Sequence, residues 1–305
     1  LERYNTVLED THPLGAYVVS FVTTDSRNEL AQARRSELEQ HTMRLSLLGT
    51  RFTAWIGSLD VEELIERSPL AGEHGFMLRK AKKRAAHLME PAEEALAAEL
   101  NLTGGTAWAK LHGDFTSQLT VTLELKGEVQ ELPMSAVRNL AYDPDREVRR
   151  RAYEAELAAW RSAAVPLAAA LNSIKGEVNA LARRRGWDSP LEAALFYNNM
   201  DRQTLEAMME AAYESFPDFR RYLRAKARAL GLPVLAWYDL FAPVGKSTKA
   251  WSFEDTAQFI IEKFGSYSPK LRELAERAFG ERWIDAEPRS GKVDGAFCMW
   301  LRKDE

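Results

Sequence analysis

Metal and acid–base chemistry would have to come from five histidines, His12, His41, His74, His87 and His112. No two of them are four residues apart, so no helix face offers the paired imidazoles of a zinc-binding helix. His87 and Glu90 stand three residues apart before Pro91 and would share a helix face, yet an exposed polar pair at a helix start explains them more simply. His112, in Leu111-His112-Gly113-Asp114, could pair with Asp114 or cap a turn. Cys298 is the single cysteine, which excludes an internal disulfide and argues against a cysteine-based zinc site. No Walker-type phosphate loop, G-x-G-x-x-G fingerprint or G-x-S-x-G elbow occurs. The side chains of this chain compose no recognisable catalytic centre.

Binding chemistry is better represented. The chain closes on GKVDGAFCMWLRKDE, from Gly291 to Glu305. Its apolar stretch from Val293 to Leu301 predicts a strand, and Gly291 and Gly295 remove side chains where another backbone could approach closely. A peptide could add itself to such an edge through main-chain hydrogen bonds. Equally, this is an ordinary strand whose neighbours are absent from the chain. No partner strand follows, and an uncovered apolar edge invites aggregation, so something is expected to cover it. Arg149-Arg150-Arg151, Arg183-Arg184-Arg185 and the Arg220–Lys226 region are the densest basic runs. Each has acidic neighbours, such as Glu147 and Glu154 around the first, and reads as a solvated helix face.

The elements that would position these residues are mostly helical. Leu157, Trp160, Ala164, Leu167, Leu171, Ile174, Val178 and Leu181 alternate at three and four residues, the stripe of an amphipathic helix. Pro166 falls inside this run and predicts a kink or two helices end to end. Asp143-Pro144 supplies an N-cap and first-turn proline for the segment, and Gly186 follows its last basic residues as a stop. Further helices are predicted from about Arg202 to Ser215 and from Pro217 to Gly231, the first burying Leu205, Met208, Met209, Ala212 and Phe216. Others fall at Ser252–Phe264, Ser268–Gly280, Ser26–Ile56, Asp60–Ser68 and Glu90–Leu100. Thr120–Leu125 alternates with period two and turns at Lys126-Gly127 into Glu128–Leu132, a hairpin. The expected fold class is mainly α, with a small β hairpin or sheet element. Gly104-Gly105 is the candidate boundary between an N-terminal helical region, 1–104, and a second region, 105–305.

Composition fits that picture. Of 305 residues, 46% are hydrophobic and 28% charged, ordinary values for a globular chain and against disorder. A net charge of −4 offers no general attraction to nucleic acid or anionic lipid, so neither is an expected partner. No apolar run approaches the roughly 18–20 residues of a membrane span. The opening LERYNTVLED lacks a signal pattern, and a reducing cytoplasm is the expected compartment.

Several stretches in order carry a family resemblance: Ala170-Leu-Asn-Ser-Ile-Lys-Gly-Glu177, Ala236-Trp-Tyr-Asp-Leu-Phe-Ala-Pro-Val244, Arg282-Trp-Ile-Asp285 and Gly291-Lys-Val-Asp-Gly-Ala-Phe-Cys298. The chain resembles the N-terminal and central portion of oligoendopeptidase F, a zinc metallopeptidase related to thimet oligopeptidase. It departs from that pattern at Asp294 and Trp300. The resemblance implies a helical fold around a deep cleft with a small sheet beside a zinc-bearing H-E-x-x-H helix. It also implies oligopeptide substrates, a substrate-edge role for the glycine-containing strand with Gly291, Gly295, Ala296 and Phe297 as candidate substrate-binding residues, and a small buried residue at Cys298. No zinc ligand or catalytic residue carries over, because that motif is not among these residues. On this reading the chain is the front part of a zinc oligopeptidase, with the remaining C-terminal part of the same protein as its partner. It would form a cleft wall and an outer substrate strand, and would be inactive alone. The alternative is a non-catalytic helical module that binds peptides or a partner.

Overall fold

Helical periodicity dominates the sequence, and the computed structural model, which describes residues 2–245, 251–299 and 301, is mainly α-helical with one two-stranded antiparallel hairpin among them. Helices α1 (Glu2–Thr24), α2 (Glu29–Ser58), α3 (Val61–Arg67), α4 (Pro69–Glu73), α5 (Gly75–Ala85), α6 (Pro91–Thr103) and α7 (Gly105–Ser117) come first. Strands β1 (Thr120–Leu125) and β2 (Glu128–Pro133) follow, then α8 (Met134–Asn139), α9 (Arg146–Ser162), α10 (Ala164–Arg184) and α11 (Pro190–Tyr197). The last helices are α12 (Arg202–Ala229), α13 (Phe253–Tyr267) and α14 (Pro269–Gly280). Among the described residues no helix is long and apolar enough to cross a membrane.

Two compact units emerge. The first contains Leu1–Leu119, Ala158–Phe219 and Gly291–Glu305; the second contains Thr120–Leu157 and Arg220–Ser290. In the first, Ile56, Val61 and Leu78 form a buried core where α2, α3 and α5 meet, with Phe52, Leu59 and Leu64 packed around it. Side-chain caps fix the helix starts. Asn28 accepts from the Ala31 N–H at 3.0 Å to begin α2, and Asp60 accepts from the Glu63 N–H at 3.1 Å to begin α3. The start expected at Ser26 therefore moves to Glu29, and Ser26 is buried instead. Gly104 lies between α6 and α7 and Gly105 opens α7, where Glu177 of α10 accepts from the Gly105 N–H and from Asn101. A Cβ at Gly104 would stand 2.5 Å from that carboxylate, so the approach needs glycine.

Pro166 breaks the helix as predicted, but upstream of itself. Its ring crowds the carbonyl four residues earlier, and α9 ends at that residue, Ser162, before α10 resumes at Ala164. Asp143 does not cap α9. It accepts from the Asp145 N–H, and Asp145 in turn caps the helix by accepting from the Glu147 N–H, both at 2.8 Å. Pro217 does not divide its region either: α12 runs through it. One missing N–H removes a single rung, and the helical pattern on both sides carries the helix across. The Leu111–Asp114 segment lies inside α7 rather than at a turn, with His112 exposed and Asp114 accepting from Gln32.

In the second unit the hairpin register pairs Thr120 with Pro133 and Leu125 with Glu128. Lys126 and Gly127 turn with φ of 56° and 84°, the two positive angles that match strand twist. Val121 and Leu123 point inward with Met134 and Val137 of α8. Helices α13 and α14 pack together and bury Ala257, Ile261 and Ala275, with Ser252 capping α13.

Candidate functional site

The segment from Gly291 onward holds all four candidate binding residues, and it is not a strand in any described residue. A strand is stabilised by a neighbour, and among the described residues no strand pairs with it. Trp300 lies outside the described residues. What fixes the segment is the ends of two helices in the same unit. The last carbonyls of a helix lack partners within it, and the segment supplies them. Gly291 donates its N–H to the Ser117 carbonyl at the end of α7 at 2.9 Å, and Val293 donates to Thr23 near the end of α1 at 2.9 Å. The Gly291 carbonyl accepts from the Ser26 N–H at 2.8 Å. Beneath these bonds Ser117 Oγ donates to Ser26 Oγ at 2.8 Å, both serines being buried.

Gly291 is buried at φ +86°, and a Cβ there would stand 2.6 Å from Asp25 Oδ1 and 2.7 Å from Arg27 Nε. Those two atoms belong to an ion pair of 2.8 Å that hardens the Arg27 guanidinium's hold on its proton. Gly291 is thus an anchor. Gly295, Ala296 and Phe297 differ from it: all three are exposed, Phe297 to 63%. Gly295 adopts φ +103° with open space around it, and its N–H turns back to Asp294 Oδ1 at 3.0 Å. Among the described residues, the backbone N–H and C=O groups of Ala296 and Phe297 make no hydrogen bond. Cys298 is exposed rather than buried, because nothing in the described chain packs over this stretch. His12 Nδ1 lies 3.3 Å from the Leu301 carbonyl at the far end.

The second unit holds a carboxylate that sequence reading passed over. Asp239, in a short 3₁₀ turn, is fully buried. Arg146 reaches it through Nε at 3.0 Å and a second nitrogen at 2.9 Å, Arg149 at 3.1 Å, and the Ala236 N–H at 3.0 Å. Burial pushes the Asp239 carboxyl up, but Arg146, the Ala236 N–H and Arg149 together outweigh it and hold the group below its ordinary range. With both oxygens engaged by charged donors, Asp239 is a brace and has no lone pair to spare as a base. The signal in the sequence is its place inside the Ala236–Val244 stretch; its arginine partners lie about ninety residues away, beyond any local pattern. In the first unit Glu94 plays a similar part. Burial raises its carboxyl, and Arg185 at 2.7 Å with the Met89 N–H brings it below the usual range.

Among the described residues no three His, Cys, Asp or Glu side chains come together as a metal ion would need. The described residues do not fit zinc.

The sequence model of peptidase family M3 matches residues 139–305, and that of oligopeptidase F matches residues 56–120. Group B oligopeptidase PepB of Streptococcus agalactiae is 24% identical over 240 residues, 78% of this chain and 40% of that protein. An oligoendopeptidase F homolog of Lactococcus lactis subsp. lactis is 26% identical over 227 residues, 74% of this chain and 37% of that protein. The chain therefore spans well under half the length of these relatives. The fold is similar to that of oligoendopeptidase-F from Enterococcus faecium, with a TM-score of 0.71, 19% identity, and coverage of 92% of this chain and 59% of that one. It is also similar to that of a PZ peptidase A solved with an inhibitor, with a TM-score of 0.78, 15% identity, and coverage of 97% and 51%.

Proposed function

The chain belongs to peptidase family M3, and from that premise we propose that it is the substrate-edge portion of a zinc-dependent oligopeptidase that hydrolyses short peptides. The relatives' names supply the peptide class, and the resemblance supplies zinc, held by residues other than these 305. The residues of this chain bind and orient: Gly291 fixes the segment to α1 and α7, and Gly295, Ala296 and Phe297 present an open backbone to the peptide. On this reading the remaining C-terminal part of the protein completes the site, and the enzyme works in the cytoplasm.

The observation that carries the proposal is the exposure of Ala296 and Phe297, whose peptide groups make no hydrogen bond among the described residues, on a segment inside the region that the family matches. An extended peptide finds its main-chain partners at such an edge. A short peptide bearing a photoreactive group should label residues 295–297 of the metal-free chain. Gly295→Val should abolish that labelling, since a branched side chain cannot hold φ +103° and would stand on the edge. Labelling elsewhere that Gly295→Val leaves unchanged would overturn the assignment.

A further inference from the structure

The sequence contains a single Asp-Gly step, Asp294-Gly295, and no Asn-Gly step. Both residues are exposed, and they follow directly on the Val293 N–H that bonds the Thr23 carbonyl. Their geometry brings a main-chain nitrogen against its neighbour's carboxyl. The Gly295 N–H is 3.0 Å from Asp294 Oδ1, so the nitrogen stands beside the carbon that carries that oxygen. Rotation about the Cβ–Cγ bond of aspartate is broad and two-fold, and it can bring that carbon face-on to the nitrogen. Gly295 holds φ +103°, and nothing lies within 4 Å of where a Cβ would stand, so no side chain crowds the approach. Reacting groups already held in contact avoid the entropic cost of being brought together.

We propose that Asp294 is a site of spontaneous isomerisation, which lengthens the main chain between the anchor at Val293 and the open backbone of Ala296 and Phe297. The Gly295 nitrogen attacks Asp294 Cγ. The N–Cγ bond forms, a Cγ–O bond breaks, and the amide proton leaves with the carboxyl OH as water. The product is a five-membered succinimide, which a second water opens. Addition at Cγ restores aspartate. Addition at the former main-chain carbonyl breaks the original C–N bond and leaves isoaspartate, its main chain running through Cβ and Cγ and its Cα carrying the free carboxylate. One water leaves and one returns, so mass and oxidation state are unchanged while the main chain gains one atom. The two Asp-Ser steps, Asp25-Ser26 and Asp188-Ser189, are held differently. Asp25 Oδ1 accepts from Arg27 Nε at 2.8 Å and from the Arg27 N–H at 3.1 Å, while the Ser26 N–H bonds the Gly291 carbonyl. Ser189 is fixed as the cap of α11, its Oγ accepting from the Glu192 N–H at 3.2 Å.

The test ages the folded 305-residue chain for several weeks and reads isoaspartate by methyl transfer from a radiolabelled donor with an isoaspartyl methyltransferase. Peptide mapping then locates the label. Signal should accumulate at residue 294 and not at residues 25 or 188. Asp294→Glu should lose it, because closure would need a six-membered ring. Asp294→Asn should gain it faster, since ammonia leaves from an amide without prior protonation of a carboxylate. No signal at residue 294, equal signal at the two Asp-Ser steps, or a signal that Asp294→Glu leaves unchanged overturns the proposal. The effect on binding rests on reading the segment as the substrate edge: labelling of residues 295–297 by the photoreactive peptide should fall by the isomerised fraction. Isomerisation that leaves this labelling intact overturns the substrate-edge reading alone. A chain that is labelled by the peptide but never isomerises overturns this inference alone.

Discussion

At Gly291 two constraints coincide: a left-handed backbone and a side-chain position already taken by Asp25 and Arg27. Gly291→Ala should cost about 1–2 kcal/mol for the backbone alone and more for the clash, releasing the segment from Ser117 and Thr23. Hydrogen exchange at the Val293 amide should then lose its protection, and retained protection would show that the anchor lies elsewhere. Asp239 makes a different demand. Asp239→Asn leaves Arg149, only 4% exposed, beside a neutral partner, and should destabilise the second unit by about 3–5 kcal/mol in denaturant unfolding. Because the folded carboxyl sits below its ordinary pKa, its contribution is complete above the unfolded pKa and is lost as pH falls through the lowered folded value. The acid limb of the stability curve should be steeper in the native chain than in Asp239→Asn, and parallel limbs would refute the brace. Gly291 was visible in the sequence, since a glycine in an apolar run signals close approach. The exposure of Cys298 and the partners of Asp239 were not, because tertiary neighbours decide both.

Local chemistry set most of the elements. The hairpin was legible from period-two alternation and Lys126-Gly127, and α3 and α6 from Asp60 and Pro91 at their starts. The two internal prolines behaved oppositely. Pro166 ends α9 at the carbonyl it crowds, whereas α12 absorbs Pro217. Pro217→Ala should therefore restore a missing rung and raise stability, by up to about 3 kcal/mol for the helix itself. Thermal unfolding followed by circular dichroism checks this, and a lowered Tm would mean that the proline shapes α12. The terminal strand failed as a prediction because strand structure is a property of pairs: alternation shows what a segment can do, not whether a neighbour is there. The buried side expected for α12 failed likewise, since periodicity identifies an apolar face without naming what covers it.

Across the whole molecule, fold class and family were readable because several short stretches occur in the right order, although none carries catalysis alone. Of the candidate segment only the glycine-spaced residues were legible, since its attachment to α1 and α7 depends on helix ends brought together by folding. On the proposed reading, in which residues other than these 305 hold zinc, this chain alone binds peptides without cleaving them. The most direct measurement is hydrolysis of a quenched fluorescent oligopeptide by the purified 305-residue chain with added zinc, with and without chelator. The account predicts no chelator-sensitive cleavage by this chain. Chelator-sensitive turnover by the 305 residues alone would contradict it, placing the catalytic centre within the chain itself.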